Sequence, residues 1–247
     1  MLRYAAATDV GLVRKNNEDS YYIGCPLGGL QENLFIVADG MGGHKGGEYA
    51  SRFVVQKIPE LLKRRTVRGN LPMALQEAVE RTNKALYQIS QDEEALNGMG
   101  STLVLAYFDK EVWRIINVGD SRAYTYFQDQ LEQITVDHSL VEELVRSGRL
   151  ERSDPLYQAH RNVIMRAMGV DPYVEEDLFS VPVRSGMRLL LCSDGLHGLV
   201  DDETIARILG EEPEPEPAVE RLMALAREAG GKDNVTAILI DWTEENE

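Results

Sequence analysis

The chain has 247 residues, 43% hydrophobic and 27% charged, which is enough apolar material for one sizeable core and argues against a wholly disordered chain. Its 26 Lys and Arg stand against 41 Asp and Glu, and the formal net charge of −15 disfavours a broad nucleic-acid or anionic-lipid surface. An enzyme of this composition that works on phosphate must concentrate positive charge locally, with arginines or metals.

No stretch approaches the roughly 18 consecutive apolar residues of a membrane helix. The opening MLRYAAATDVG becomes acidic too soon for a signal peptide. Cys25 and Cys192 are the only cysteines, too few for a disulfide scaffold or a clustered zinc site. A cytoplasmic protein with one domain over residues 1–247 is the expectation.

In chain order, Arg3 to Gly11 begins a strand, and Asn33 to Ala38 is a second, its run LFIVA leading into Asp39. Glu48 to Arg64 has helical spacing, with Pro59 weakening it, and Leu71 to Ile89 repeats apolar residues every three to four positions. From Ser101 the period shortens. Thr102 to Phe108, Val112 to Val118, Ala123 to Phe127 and Leu131 to Ile134 read as short strands, with Asp109-Lys110 and Gln128-Asp129 as two-residue connections. Such spacing favours an antiparallel meander over strand–helix alternation.

Asp137 to His160 is charged and aperiodic apart from a short helix at Leu140 to Arg146, and reads as a surface loop or an insertion over a binding site. Strands return at Glu176 to Val183 and Met187 to Cys192. Helices follow at Glu203 to Leu209 and Ala218 to Ala229, and a last strand at Val235 to Asp241. EEPEPEPAVE reads as a solvated, proline-stiffened connection between those two helices.

Four aspartates stand where apolar runs stop: Asp39 after LFIVA, Asp120 after IINVG, Asp194 after LLLCS, and Asp233 just before NVTAILI. Strand ends are rigid points at which side chains can converge, and Gly40 and Gly195 follow two of these aspartates, so that a backbone carbonyl can approach an ion. Carboxylate and carbonyl oxygens without thiolates select hard divalent ions, principally Mg²⁺ or Mn²⁺. The helix–loop–helix spacing of a calcium site is absent. Taken singly, each Asp-Gly pair is also an ordinary turn.

The run from Asp9 to Asp19 adds Arg14, whose planar fork suits phosphate, and Glu18 and Asp19, which can bind metal-held water or orient ligands. Asp120 is open to two readings, a cap for the backbone around Ser121-Arg122 or an ion ligand. Neither cysteine begins a cysteine-phosphatase loop, since the position six residues on is Gln31 or Gly198 where that chemistry needs arginine. DGMGGHKGG fits neither common nucleotide-binding glycine pattern.

DVGLVRKNNEDS, VADGMGGHKGGEYAS, GSTLV, NVGDSRAY, TVDHS, NVIMRAMG, LLCSDGL and GGKDNVTAILI follow one another over essentially the whole chain. In these segments the chain closely resembles the bacterial branch of the metal-dependent protein phosphatase 2C family. The resemblance implies an α+β fold, a four-layer α-β-β-α sandwich with two central antiparallel sheets flanked by helices. It also implies hydrolysis of phosphoserine and phosphothreonine in proteins by metal-activated water, opposing serine/threonine kinases, whose proteins and substrates become the expected partners; a monomer, no nucleic acid and no membrane are expected.

By the same resemblance Asp39 bridges two Mn²⁺ or Mg²⁺ ions and the Gly40 carbonyl binds one. Asp194 and Asp233 complete the second site, Glu18 contacts metal-bound water, and Arg14 binds the substrate phosphate. Asp120 and Asp194 match an additional, weaker ion site, and residues 137–160 a mobile flap. One departure concerns proton transfer. Many eukaryotic members carry histidine after the glycine matching Gly40, whereas this chain has Met41, whose thioether cannot donate a proton, so water is the expected source. His44 is not assigned that role, and His138, His160 and His197 read as ordinary polar or partly buried residues. A pseudophosphatase is disfavoured by the presence of Arg14, Asp39, Asp194 and Asp233, and a metal nuclease by the acidic composition.

Overall fold

The computed structural model describes residues 2–25, 32–42, 45–63, 70–109 and 111–243. One sheet holds β1 (Leu2–Asp9), β11 (Val235–Trp242), β10 (Arg188–Cys192), β7 (Arg122–Phe127) and β8 (Gln130–Gln133), in that order. The second holds β2 (Asp19–Gly24), β3 (Leu34–Met41), β5 (Leu103–Asp109), β6 (Val112–Val118) and β9 (Asp177–Pro182), with the two-residue β4 (Gly100–Ser101) paired to β3. Every pairing is antiparallel. The helices are α1 (Gly46–Lys63), α2 (Leu71–Asp92), α3 (Leu140–Arg146), α4 (Pro155–His160), α5 (Asp194–His197), α6 (Asp202–Glu211) and α7 (Pro215–Glu228).

The two-residue period of a strand explains the layers. In β3, Leu34, Ile36 and Ala38 join a cluster with Val54, Ile58 and Leu62 of α1 and Leu75 and Val79 of α2. Phe35 and Val37 point the other way, into a cluster shared with Leu189 and Leu191 of β10 and Ile238 and Ile240 of β11. On the far side, Leu190 and Cys192 of β10 pack with Ile205 and Ile208 of α6 and Leu222 of α7. Helices, sheet, sheet and helices therefore stack as the expected four-layer α-β-β-α sandwich. Central strands covered on both faces must be apolar throughout, which is why LFIVA and LLLC do not alternate.

Several elements differ from the sequence expectation. β2 was not anticipated, because it emerges directly from a charged run, and its pairing with β3, Asp19 opposite Asp39, establishes it. The proline-stiffened connection shrinks to residues 212–214, since Pro215 and Pro217 lie in the first turn of α7, where a missing N–H leaves no intrahelical bond unmade. Pro59 does not end α1. Gln128 and Asp129, at φ 51° and 62°, form the expected two-residue turn between β7 and β8. Lys110 and Arg64, which bound an expected turn and an expected helix, lie outside the described residues.

Arg188 locks the helical layer to its sheet. Its Nε and Nη2 donate to Asp241 Oδ1 and Oδ2 at 2.8 and 3.2 Å, and Nη1 donates to the carbonyls of Leu209 and Glu212, both at 2.6 Å. Both side chains are buried. Arg188→Ala is expected to cost about 3–5 kcal/mol, because Asp241 would keep a buried charge and two carbonyls would lose their donor. Urea unfolding checks this; a loss below about 1 kcal/mol would mean that water replaces the guanidinium.

Candidate active site

Antiparallel registers bring the four aspartates to one end of the sandwich. Leu103 opposite Val118 places the end of β6, and the Gly119-Asp120 turn, beside the start of β5, which itself pairs with β3. Cys192 opposite Ala237 places Ser193-Asp194 beside the start of β11 and hence near Asp233. Two placements differ from expectation. β3 continues through Asp39 and Gly40 to Met41, because Gly40 and Met41 pair with Ser101 and Gly100 of β4. Asp194 stands at the first position of α5, not on a strand end.

A network of backbone bonds fixes these residues. Asp39 N–H donates to Thr102 Oγ1 at 2.9 Å, Thr102 N–H donates to the Asp39 carbonyl at 2.8 Å, and Thr102 Oγ1 lies 2.7 Å from Ser121 Oγ, next to Asp120. Asn234 fastens the Arg14 loop to β11. Its Oδ1 accepts from Glu18 N–H at 2.8 Å, and its Nδ2 donates to the carbonyls of Val10 and Asn16, both at 2.9 Å. Ser193 Oγ donates to Asp19 Oδ2 at 2.7 Å and accepts from Thr236 N–H at 2.9 Å. Thr102, Ser193 and Asn234 were not singled out from sequence, where small polar residues carry no signal of their own; they lay unnoticed inside GSTLV, LLCSDGL and GGKDNV.

Gly40 and Gly47 meet backbone to backbone. A Cβ on Gly40 would sit 2.0 Å from the Gly47 carbonyl, while one on Gly47 would sit 2.8 Å from Gly40 O and 2.9 Å from Glu18 Oε2. The bare Gly47 thus leaves the Gly40 carbonyl and the Glu18 carboxylate in one small cradle.

Arg14, Glu18, Asp39, Gly40, Asp194 and Asp233 line a single cleft of about 520 Å³. Within it, Arg14 Nη2 lies 2.7 Å from Asp233 Oδ2, and Asp233 Oδ1 accepts from Asn234 N–H at 2.9 Å. Asp39 and Asp194 both line this cleft. Burial, and then the charges of Asp19, Asp194, Asp120 and Asp233, hold the Asp39 carboxyl well above the usual carboxylate range. Burial and Asp233 raise Asp194 likewise, against the pull of the Asp39 hydrogen bond and the charges of Arg161 and Arg14. Burial foremost pushes Asp19 up to about 7.

Asp120 borders a second cavity of about 160 Å³ together with Asp194 and Asp233. Its side chain is buried, Oδ1 has no hydrogen-bond partner, and burial followed by the charges of Asp194 and Asp137 pushes its carboxyl up to about 8. Among the described residues, no group of three His, Cys, Asp or Glu side chains is closed into a metal-holding cluster. Arg14 engages Asp233 at 2.7 Å.

The stretch 137–160 is anchored at its base by Arg122, which donates from Nε and Nη2 to Asp137 at 2.7 to 3.1 Å. Beyond the predicted helix it forms α4; Asp137, Ser139, Val141 and Tyr157 line the smaller cavity, and Arg161, Asn162 and Ile164, just after the stretch, also reach the cavities. Arg161 Nη2 donates to the Gly198 carbonyl at 3.0 Å. These residues were missed because nothing local marks them. The His160 ring meets the Leu156 carbonyl at 3.1 Å, whereas His138 and His197 bond the loop that carries Asp120. His44 lies outside the described residues.

The Protein phosphatase 2C family profile matches residues 15–239. The serine/threonine phosphatase Stp of Listeria innocua is 37% identical over 242 residues, covering 95% of this chain and 93% of its own. The crystal structure of the Mycobacterium tuberculosis serine/threonine phosphatase PstP is 40% identical, with a TM-score of 0.88 over 98% of this chain and 99% of that one. A structure of the PstP catalytic domain in complex with two manganese ions superposes with a TM-score of 0.86, at 40% identity over 98% and 99% of the two chains. With its sandwich, its converging aspartates and these relatives, the chain belongs to the protein phosphatase 2C family, as an enzyme of its bacterial serine/threonine phosphatase branch.

Proposed function

We propose that this protein hydrolyses phosphoserine and phosphothreonine in proteins and so opposes serine/threonine kinases. The supporting observation is the single cleft in which Arg14 stands beside Asp39, Asp194, Asp233 and the Gly40 carbonyl. In this reading residues 1–247 work as one catalytic domain in the cytoplasm, as a monomer, with 137–160 as a flap beside the cleft. Partners are phosphorylated proteins, including a cognate kinase or its substrates.

The donor set fits hard divalent cations. Buried carboxylates that raise one another's proton affinity, the unpartnered Asp120 Oδ1 and the cradle of Gly40 O and Glu18 all offer oxygen to positive charge. Asp39, Asp194, Asp233 and Gly40 would hold two core Mn²⁺ or Mg²⁺ ions, with Glu18 acting through water, and Asp120 with Asp194 would hold a weaker third. When bound, such ions supply Lewis acidity that activates water and offsets phosphoryl charge.

The chain's own residues do the rest. Arg14 commits Nη2 to Asp233, and the other donors of its five-donor fork remain to bind and orient the phosphoryl oxygens. Asn234 and Thr102 hold the Arg14 loop and Asp39 at fixed positions, so little reorganisation is needed at the moment of reaction. Met41 borders the cleft and has no proton to give, which leaves solvent to protonate the departing seryl or threonyl oxygen.

Phosphate release from a phosphothreonine-peptide library, with Mn²⁺ against chelator, tests this reading. Release that survives chelation would sink it. Arg14→Ala is expected to lower kcat/KM for phosphopeptides about 10- to 100-fold, the equivalent of about 1.5–3 kcal/mol for hydrogen bonds to a charged group, while the core metals still bind. Unchanged kcat/KM together with lost metal binding would make Arg14 a support for Asp233 instead.

A further inference from the structure

The turn that carries Asp120 is held from two sides by imidazoles. On one side Gly119 N–H donates to His138 Nδ1 at 3.2 Å, and the His138 backbone N–H donates back to the Gly119 carbonyl at 2.9 Å. His138 Nε2 in turn faces Asp177 Oδ2 at 3.2 Å. On the other side His197 Nε2 lies 3.0 Å from the Asp120 carbonyl oxygen. A carbonyl only accepts, so Nε2 carries the proton in this contact.

His197 ends the same short helix, α5, that Asp194 begins. The helix therefore supplies one carboxylate to the small cavity and, three residues later, bonds the main chain that supplies the other. Asp120 Oδ1 is buried with no partner, and Asp120, Asp194 and His197 all line that cavity. Gly119 turns at φ +103° where the chain leaves β6, and His138 and His197 hold this turn from its two sides.

We infer that His197 is a positioning residue for Asp120: its Nε2–H bond to the Asp120 carbonyl sets the direction in which the Asp120 carboxylate, with its unpartnered Oδ1, meets Asp194. The inference deepens the proposed function, since it rests on Asp120 and Asp194 as ligands of the weaker third ion. Groups that orient a ligand without touching the metal typically alter affinity about 10- to 100-fold when removed. The effect of His197 should therefore appear in the weakest ion-binding event and leave the two central ones intact.

The test uses the whole chain and Mn²⁺ as the probe, with calorimetric titration, thermal unfolding and phosphopeptide turnover against Mn²⁺ concentration. His197→Phe should weaken the third binding event about tenfold and raise the Mn²⁺ needed for half-maximal turnover by a similar factor. His197→Gln, which can return an N–H at similar reach, should restore most of both. Asp120→Ala should abolish the third event and keep the other two.

A folded His197→Phe with an unchanged third event, beside an Asp120→Ala that has lost it, would overturn the positioning role and leave Asp120 as a ligand. A third event that persists in Asp120→Ala, or is absent from the wild type, would remove the reading of Asp120 and the inference with it. Should His197→Phe fail to fold, His197→Gln and His197→Asn decide the matter. The shorter Asn cannot reach the Asp120 carbonyl, and equal third-ion affinities in the two would overturn the proposal.

Discussion

Asp39→Asn is expected to reduce phosphopeptide turnover at saturating Mn²⁺ about 1000-fold or more while leaving the protein folded. Asp39 is the carboxylate on which the others converge: its proton affinity reflects burial together with Asp19, Asp194, Asp120 and Asp233. A residue proposed to touch both core ions contributes to charge stabilisation of several kcal/mol, and about 4 kcal/mol corresponds to three orders of magnitude in rate. Asparagine keeps the shape, the Asp39 N–H bond to Thr102 and the β4 pairing, so the core has no reason to loosen.

The same substitution makes a stability prediction of opposite sign. A carboxyl whose folded pKa is raised above its unfolded value stabilises the fold below the unfolded pKa, and that contribution is lost as pH rises through the folded value. At neutral pH in chelator the buried Asp39 carboxyl among its acidic neighbours is thus a net cost to the folded state, which asparagine relieves. Asp39→Asn should therefore melt no lower than wild type in chelator, and should fail to gain the thermal stabilisation that Mn²⁺ gives the wild type. Near-wild-type turnover at matched saturating metal would remove Asp39 from the core sites.

The second large effect is expected from a single methyl group. A Cβ on Gly195 would lie 1.9 Å from the Asn234 carbonyl oxygen and 2.9 Å from its carbonyl carbon, in a backbone that leads into β11 and whose Asn234 side chain holds the Arg14 loop, and 3.1 Å from the Val235 side-chain Cγ2. Neither side can yield cheaply, so Gly195→Ala should push α5 away from β11. Overpacking of this kind costs about 1–3 kcal/mol, which for a chain of this size lowers Tm by about 2–4 °C for each kcal/mol.

The larger consequence is geometric. Asp194 precedes Gly195, and Asp233 precedes Asn234, so the wedge separates the two carboxylates proposed to share an ion. Displacements of about 1 Å can cost about 100-fold in rate. Turnover should thus fall by more than the loss of folded protein accounts for, and Mn²⁺ affinity should fall with it. A Gly195→Ala protein with wild-type Tm and wild-type turnover would show that the contact is looser than the structure places it.

How much of this was legible in the residues depends on whether the signal is local. Helical spacing marked α2, whose expected span, Leu71 to Ile89, differs from Leu71–Asp92 only in its last turn. Two consecutive residues mark a hairpin turn, and Gln128-Asp129 adopts left-handed backbone at both positions. Continuous apolar runs ending in aspartate marked β3 and β10 as buried strands with charge at one end. The ordered segments from DVGLVRKNNEDS to GGKDNVTAILI identified the family and its sandwich, because motif order over a whole chain is far more specific than any single Asp-Gly pair.

What only the tertiary structure decided is what depends on residues distant in the chain. β2, despite the strand formers Tyr21, Tyr22 and Ile23, is established by its pairing with β3. The acidic, proline-rich run after α6 is helical because α7 packs Ala218, Val219 and Leu222 against the sheet, and its prolines fall where helices tolerate them. Thr102, Ser193 and Asn234 became site residues through bonds to Asp39, Asp19 and Glu18, each across more than sixty positions. His197 read as an ordinary polar residue because an imidazole's role depends on what faces its nitrogens. Here that is a carbonyl 77 positions away, brought within 3.0 Å by the packing of α5 against the turn after β6.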